Sequence, residues 1–93
     1  MSIDLEEMPI EVKALENFLL YIKFQNGEEK IYDMNELLKY DYYKDLRNRS
    51  IFRQVKVFGI TLLWPTGQDI APEKIYFDSI PISEYKFEIK EMK

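Results

Sequence analysis

The stretch ITLLWPTGQDIAPEKIY, residues 60–76, combines an apolar run, the chain's single tryptophan, a Pro/Gly turn and a helix opening. Ile60 to Trp64 is β-branched, apolar and aromatic, too short for a core helix and stopped by Pro65, which predicts a buried or half-buried strand. Pro65 fixes its own φ and Gly67 accepts φ > 0, so Trp64 to Gly67 reads as a tight turn. Pro72 suits the first turn of a helix and Glu73 suits the positive end of its dipole, with Asp69 or Ala71 preceding them. One or two helical turns then carry Ile75 and Tyr76 back onto a sheet. Trp64 is either a core anchor whose indole N–H meets a backbone carbonyl, the ordinary use of a buried tryptophan, or a stacking platform. Asp69 and Glu73 are either helix caps or a carboxylate pair, and no histidine or cysteine accompanies them as a pair would require.

Working upstream, Val55, Val57 and Phe58 lead into Gly59, so a strand from Gln54 to Phe58 returns as Ile60 to Trp64 in a hairpin. A first hairpin is marked by FLLYIKF, residues 18–24, with Phe18, Leu20, Ile22 and Phe24 on one face and Leu19, Tyr21 and Lys23 on the other. Asn26-Gly27 follows, a strong hairpin signal, because a two-residue type I′ turn needs φ > 0 at both central positions. Such a turn sets Phe24 opposite Glu29, Lys23 opposite Lys30, Ile22 opposite Ile31 and Tyr21 opposite Tyr32. The lysine pair would be mildly repulsive, on a face open to solvent or to an acidic partner.

Before this hairpin, Ile10, Val12 and Ala14 alternate with Glu11 and Lys13, which predicts a strand with one buried face and a turn at Glu16 and Asn17. After it, Asp33 and Glu36 have the spacing of a capping box, opening a helix with Met34, Leu37 and Leu38 that runs to Tyr40. Asp41 starts a shorter turn bearing Tyr42, Tyr43 and Leu46. Asn48 to Ser50 ends the helical region, and Ile51 and Phe52 return to the core.

Beyond Tyr76, Ile80, Pro81 and Ile82 form an extended connector. Tyr85, Phe87 and Ile89 then alternate with Lys86, Glu88 and Lys90, which predicts a last strand, paired within the chain or added to a second copy by β-augmentation. The expected organisation is a flexible N-terminus at 1–8, one α+β domain at 9–77 and a C-terminal extension at 78–93. The fold class is α+β: a small, mostly antiparallel sheet built from two hairpins, with one or two short helices between them.

Composition limits the chemistry. A chain of 93 residues buries roughly 60–70% of its unfolded surface, enough for one core. It is 46% hydrophobic and 32% charged, and no stretch reaches the length of a membrane span. The start, MSIDLEEMPIE, is acidic and lacks the basic and apolar regions of a signal peptide, so the expected location is cytoplasmic. With no cysteine and no histidine, disulfides, N/S-ligated zinc, thiol nucleophiles and His-based acid–base chemistry are excluded. Three scattered glycines make no phosphate cradle. A net charge of -4 argues against nucleic-acid binding by this chain alone, the local exception being Lys44, Arg47, Arg49 and Arg53. Those four read as a solvated face or as a patch that meets an acidic surface or a phosphate.

The order of landmarks from Val12 to Tyr76 resembles the bacterial small-domain family called domain of unknown function 2442. The residues that carry it are Phe18, Leu20, Ile22 and Phe24; Asn26-Gly27-Glu28; Tyr32-Asp33; Leu46, Phe52 and Val55; and Trp64-Pro65, Gly67, Asp69-Ile70 and Pro72-Glu73. They span about 65 of the 93 residues. The resemblance implies an α+β domain. Longer family members continue into a helix-turn-helix that this chain does not reach. Some single-domain members look like partners of a second small family, domain of unknown function 4160, in a layout similar to toxin and antitoxin pairs. The family brings no agreed catalytic residues.

The function expected from all this is a non-enzymatic interaction protein, an antitoxin-like partner of a small protein from a neighbouring gene, with a homodimer also open. No catalytic, cofactor or metal residue is assigned. The candidate interaction surface is Tyr40, Tyr42 and Tyr43, then Arg47, Arg49 and Arg53, and finally Tyr85 with Phe87. The alternatives are a transcription-associated regulatory domain without its helix-turn-helix, motivated by the arginines, and a small-ligand-binding domain.

Overall fold

The structure, a computed structural model, describes residues 3–93. Strands β1 (Pro9–Leu15), β2 (Leu19–Phe24) and β3 (Glu29–Asp33) are followed by helix α1 (Arg49–Phe52). The hairpin β4 (Lys56–Phe58) and β5 (Thr61–Leu63), helix α2 (Pro72–Asp78) and the short strand β6 (Ile80–Pro81) complete the order. The main sheet runs β1-β2-β3-β6, antiparallel throughout, and β4 with β5 forms a second sheet. This is the α+β architecture with two hairpins expected from the sequence. No helix among the described residues is long and apolar enough to cross a membrane.

The core lies on one face of the main sheet. Leu20, Ile22 and Phe24 are fully buried there, and each such side chain contributes about 1.5–3 kcal/mol relative to exposure. Trp64 closes that core as the anchor reading expects, 1% exposed, with its indole N–H donating to the Phe52 carbonyl at 2.9 Å. The opposite face is covered too: Leu15, Leu19 and Ile31 are buried beneath Tyr21, Ile82 and Tyr85.

The β2–β3 register differs from the type I′ expectation by one residue. Lys23 faces Glu29, Ile22 faces Lys30 and Tyr21 faces Ile31. The loop has three residues, because Gly27 N–H donates to the Phe24 carbonyl at 2.9 Å and Phe24 N–H donates to the Glu28 carbonyl at 2.8 Å. Gly27 has φ of 92°, and Asn26 is not among the positive-φ residues. The like-charged lysine pair is therefore replaced by an opposite-charged one. In β1 a register shift between Pro9 and Glu11 acts as a bulge. It buries Pro9 and leaves Ile10 46% exposed, where alternation predicts Ile10 inside.

The expected helix from Asp33 to Tyr40 does not form. Asp33 Oδ1 accepts from the Asn35 backbone N–H at 2.9 Å and from Asn35 Nδ2 at 2.7 Å, so it closes a turn two residues on instead of capping Glu36. Two 3-10 segments follow, Leu37–Lys39 and Asp41–Arg47, separated by an extended Tyr40. Asn48 does not end the helical region; its side chain accepts from Ser50 and Ile51 N–H groups and opens α1. Nor does Asp69 cap α2. Ala71 holds that position without a side-chain bond, with Pro72 in the first turn as expected.

The backbone is hydrogen-bonded near both ends of the described residues. Met1 and Ser2, part of the stretch expected to be flexible, lie outside the described residues. Leu5–Glu7 is a 3-10 turn, and the carbonyls of Met8 and Glu6 accept from Gln25 and Asn26 at 2.9 and 2.8 Å. At the other end Ile80 and Pro81 pair with Ile31 and Lys30 as β6, followed by a 3-10 turn at Ile82–Glu84. The strand expected at Tyr85–Ile89 is absent. Its alternation reflects a chain that lays Tyr85 on the second face while Phe87 stays 76% exposed. The tail pairs within the chain only further on, where Glu91 bridges Leu15 and Met92 N–H donates to the Ala14 carbonyl at 2.9 Å.

Candidate interaction surface

Tyr40 and Tyr42 stand out from the 3-10 region at 63% and 58% exposure. Their backbone is held from several sides. Arg47 Nε donates to the Leu38 carbonyl at 2.7 Å, which clamps the second 3-10 segment to the first. Gln68 is 6% exposed, and its Nε2 donates to the Tyr42 carbonyl and to Asp45 Oδ2, both at 3.2 Å. Tyr43 is half-buried; its hydroxyl donates to the Asp69 carbonyl at 2.9 Å, and its ring meets that of Tyr42 edge-on with centroids 4.7 Å apart. Burial raises the Tyr43 phenol above its ordinary pKa, with Tyr42 and Asp69 adding to the shift. The turn after β5 thus supports two exposed tyrosines and recruits a third as their buttress.

The arginines do not act together. Arg47 is spent on the Leu38 carbonyl. Arg49 makes a two-pronged ion pair with Glu16, Nη1 to Oε1 at 2.9 Å and Nη2 to Oε2 at 3.1 Å, and reaches the Lys93 carbonyl at 3.4 Å. The hydrogen bond from Arg49 holds the Glu16 carboxyl below the usual carboxylate range. Arg53 lines a shallow cleft with Val12, Ala14, Val55 and Met92. In the tail, the Tyr85 and Phe87 rings lie 5.7 Å apart, one set on the sheet and the other free. The sequence-assigned residues therefore pair locally: the Tyr42 ring meets that of Tyr43, whose N–H donates to the Tyr40 carbonyl at 3.1 Å, and the Tyr85 ring meets that of Phe87, while Arg47 and Arg49 turn to different partners within the chain.

Two groupings emerge that the sequence does not announce. Lys30, across the sheet from Ile22, places its Nζ 3.8 Å from the Tyr76 ring centroid and 5.7 Å from that of Phe24, and donates to the Tyr76 carbonyl at 2.9 Å. Its side chain is 11% exposed and Glu28 lies 3.5 Å away. This ammonium ties the first hairpin to α2. The second grouping is a cavity of about 260 Å³ at the outer edge of β3, lined by Ile31, Tyr32, Asp33, Glu36, Leu37, Lys74, Asp78 and Ile80. Its members come from β3, a 3-10 turn, α2 and β6, so no local motif could reveal it. Among the described residues no group of three or more His, Cys, Asp or Glu is arranged to hold a metal ion.

Fold and surface define a small α+β domain of two hairpins that presents fixed tyrosines and an acidic edge cavity. The chain belongs to the family described as protein of unknown function (DUF2442), whose model matches residues 9–81. Neither a curated protein nor a solved structure matches it.

Proposed function

We propose that this protein is a non-enzymatic, cytoplasmic interaction module that binds a second small protein, as an antitoxin binds its toxin, in a bacterial host. The observation that carries the reading is the exposed pair Tyr40 and Tyr42 on a backbone already fixed by Arg47, Gln68 and Tyr43. Tyrosine brings contact area at low entropic cost and is enriched in interfaces. A surface ordered before binding loses less on association. The regulatory alternative draws on the arginines, and two of those three guanidinium groups are engaged inside the chain.

The test is capture of host proteins by the tagged chain, with the tyrosine pair as control. One small protein recovered in equal amount by the native chain, and lost with Tyr40→Ala/Tyr42→Ala, is the expected result. Truncating two central interface tyrosines should weaken binding at least about thirtyfold, at roughly 1 kcal/mol or more for each. Recovery of nothing but the bait, from extracts that contain the neighbouring gene product, would sink the reading.

A further inference from the structure

The segment Glu84–Lys90, EYKFEIK, is self-complementary in charge when it is laid antiparallel on itself. With a two-fold axis at Phe87, Glu84 stands opposite Lys90 of a second copy, Lys86 opposite Glu88, and Tyr85 opposite Ile89. A two-fold contact has this form, because whatever one residue meets, the counterpart of that residue meets in return. Opposite charges facing each other across two strands stabilise the pairing and like charges destabilise it. Moving the axis one residue, to Lys86 or to Glu88, sets like charges against each other. Parallel pairing in register does so at every charged position. Of these arrangements the axis at Phe87 alone matches every charge.

The structure leaves the segment open to such a partner. Residues 86–89 make no backbone–backbone hydrogen bond among the described residues. The chain is nevertheless held on both sides of them: Tyr85 N–H donates to the Ile82 carbonyl at 3.2 Å, and the Lys90 carbonyl accepts from Glu16 N–H at 2.8 Å. Residues 86–90 are exposed, and the Phe87 ring stands out at 76%. A bend at Phe87 interrupts the extended chain in the single copy, where no neighbouring strand supplies a ladder. The one ion pair within the segment, Lys90 to Glu88 at 3.5 Å, is exposed on both sides, so little holds those charges to their present partners.

We propose that two copies of this chain associate by antiparallel pairing of Tyr85–Ile89 about a two-fold axis at Phe87. The strand written in the alternation of this segment then forms between molecules, by β-augmentation, and not within one. The two Phe87 rings meet on the axis and leave solvent together. The surface is separate from Tyr40 and Tyr42, so self-association and capture of another protein are independent properties.

The experiment is sedimentation velocity of the full chain over a concentration series from about 1 μM to about 1 mM, the range that reads weak association. A dimer whose share rises with concentration is expected. Phe87→Ala should weaken it about tenfold or more, through the lost aromatic contact on the axis. Lys86→Glu should also weaken it about tenfold, because the two-fold axis turns two attractive pairs into two repulsive ones. Lys44→Glu makes the same change of net charge elsewhere and should leave the dimer unchanged. Lys86→Glu/Glu88→Lys restores complementarity in the proposed register and should return the dimer to within about threefold of native strength. All these side chains are exposed, and unchanged Trp64 fluorescence verifies that each variant is folded. A chain that stays monomeric throughout the series overturns the proposal. So does a dimer that Phe87→Ala does not weaken, one that Lys44→Glu weakens as much as Lys86→Glu does, or one that the double exchange fails to restore. Loss of the dimer with Tyr40→Ala/Tyr42→Ala would place the contact on the tyrosines and overturn it as well.

Discussion

Phe24–Glu28 and Trp64–Gln68 share one backbone design. In each the aromatic carbonyl accepts from the glycine N–H at 2.9 Å, and the aromatic N–H donates to the residue after the glycine, at 2.8 Å for Phe24 and 3.1 Å for Trp64. The glycines have matching φ values, 92° at Gly27 and 95° at Gly67. Both aromatics are fully buried. What differs is the support outside the backbone. The Trp64 turn is held mainly by neutral groups: the indole on the Phe52 carbonyl, the Thr66 hydroxyl on the Gln68 amide oxygen, and the Gln68 amide on the Tyr42 carbonyl, with Asp45 as the one charged acceptor. The Phe24 turn is held by ionisable ones, with Lys30 over Tyr76 and Glu28 beside Lys30, in addition to the neutral bond from the Glu28 N–H to Asn26 Oδ1 at 2.9 Å. An identical turn can thus be built as core or as a polar clasp.

The largest expected effect comes from removing the neutral support. Trp64→Ala empties the centre of the core and leaves the Phe52 carbonyl without its donor, which should cost about 3–5 kcal/mol. In a chain of this size each kcal/mol lowers the melting temperature by roughly 4–8 °C. Denaturant unfolding of native and variant chains measures it. A loss under about 1 kcal/mol would mean that Trp64 does not anchor the core.

The glycines are the middle case and the most direct test of equivalence. A Cβ built at either position meets nothing within 4 Å, so the cost of Gly27→Ala or Gly67→Ala is backbone strain alone. At these positive φ values it should be about 1–2 kcal/mol each, and the two should agree. The double variant should lose their sum to within about 0.5 kcal/mol, as expected for separate sites. Markedly unequal losses in equilibrium unfolding would break the comparison.

This pair of turns also shows what the sequence carries. Alternation in residues 18–24 and the apolar run at 60–64 place both hairpins correctly, because burying one face of a sheet leaves little choice. The register of the first is misread because Asn-Gly suggests φ > 0 at both residues, whereas Asn26 spends its side chain on Glu28 and leaves the positive φ to Gly27. The comparison that would have helped lies within the chain: an aromatic, two residues, a glycine, then Glu or Gln, at 24–28 and again at 64–68. A similar local bond, Asp33 to Asn35, replaces the expected helix with 3-10 turns. Tyr40 and Tyr42 are named from their clustering in the sequence, in a segment whose core position is Leu46. The edge cavity is not legible. Tyr32, Asp33, Lys74 and Asp78 meet only through the pairing of β3 with β6 and the packing of α2, and neither is periodic.

The smallest effect separates the turns by charge. The nearby Tyr76 hydroxyl lowers the Glu28 carboxyl below its ordinary range, and Lys30 adds to this. Burial, then the nearby Glu28 carboxylate, raises the Tyr76 phenol. A lowered carboxyl means that the unfolded chain takes up the proton first. Its stabilisation is therefore present above about pH 4.3, the ordinary glutamate value, and is lost as pH falls through the lowered folded value. The raised phenol works the other way: its contribution is present below about pH 10 and is lost as pH rises through the folded value. Tyr76→Phe removes the phenol's linkage and the largest single contribution to that of Glu28, and leaves the ring contact with Phe24, 5.0 Å between centroids, in place. The stability gap between native chain and Tyr76→Phe should hold level through neutral pH and narrow at both extremes. Thr66→Val, which removes the neutral bond to Gln68, should give a gap that the titration of Glu28 and Tyr76 does not alter. Parallel pH curves for native and Tyr76→Phe chains would show that the Phe24 turn gains nothing from the ionisable Tyr76 hydroxyl beside Glu28.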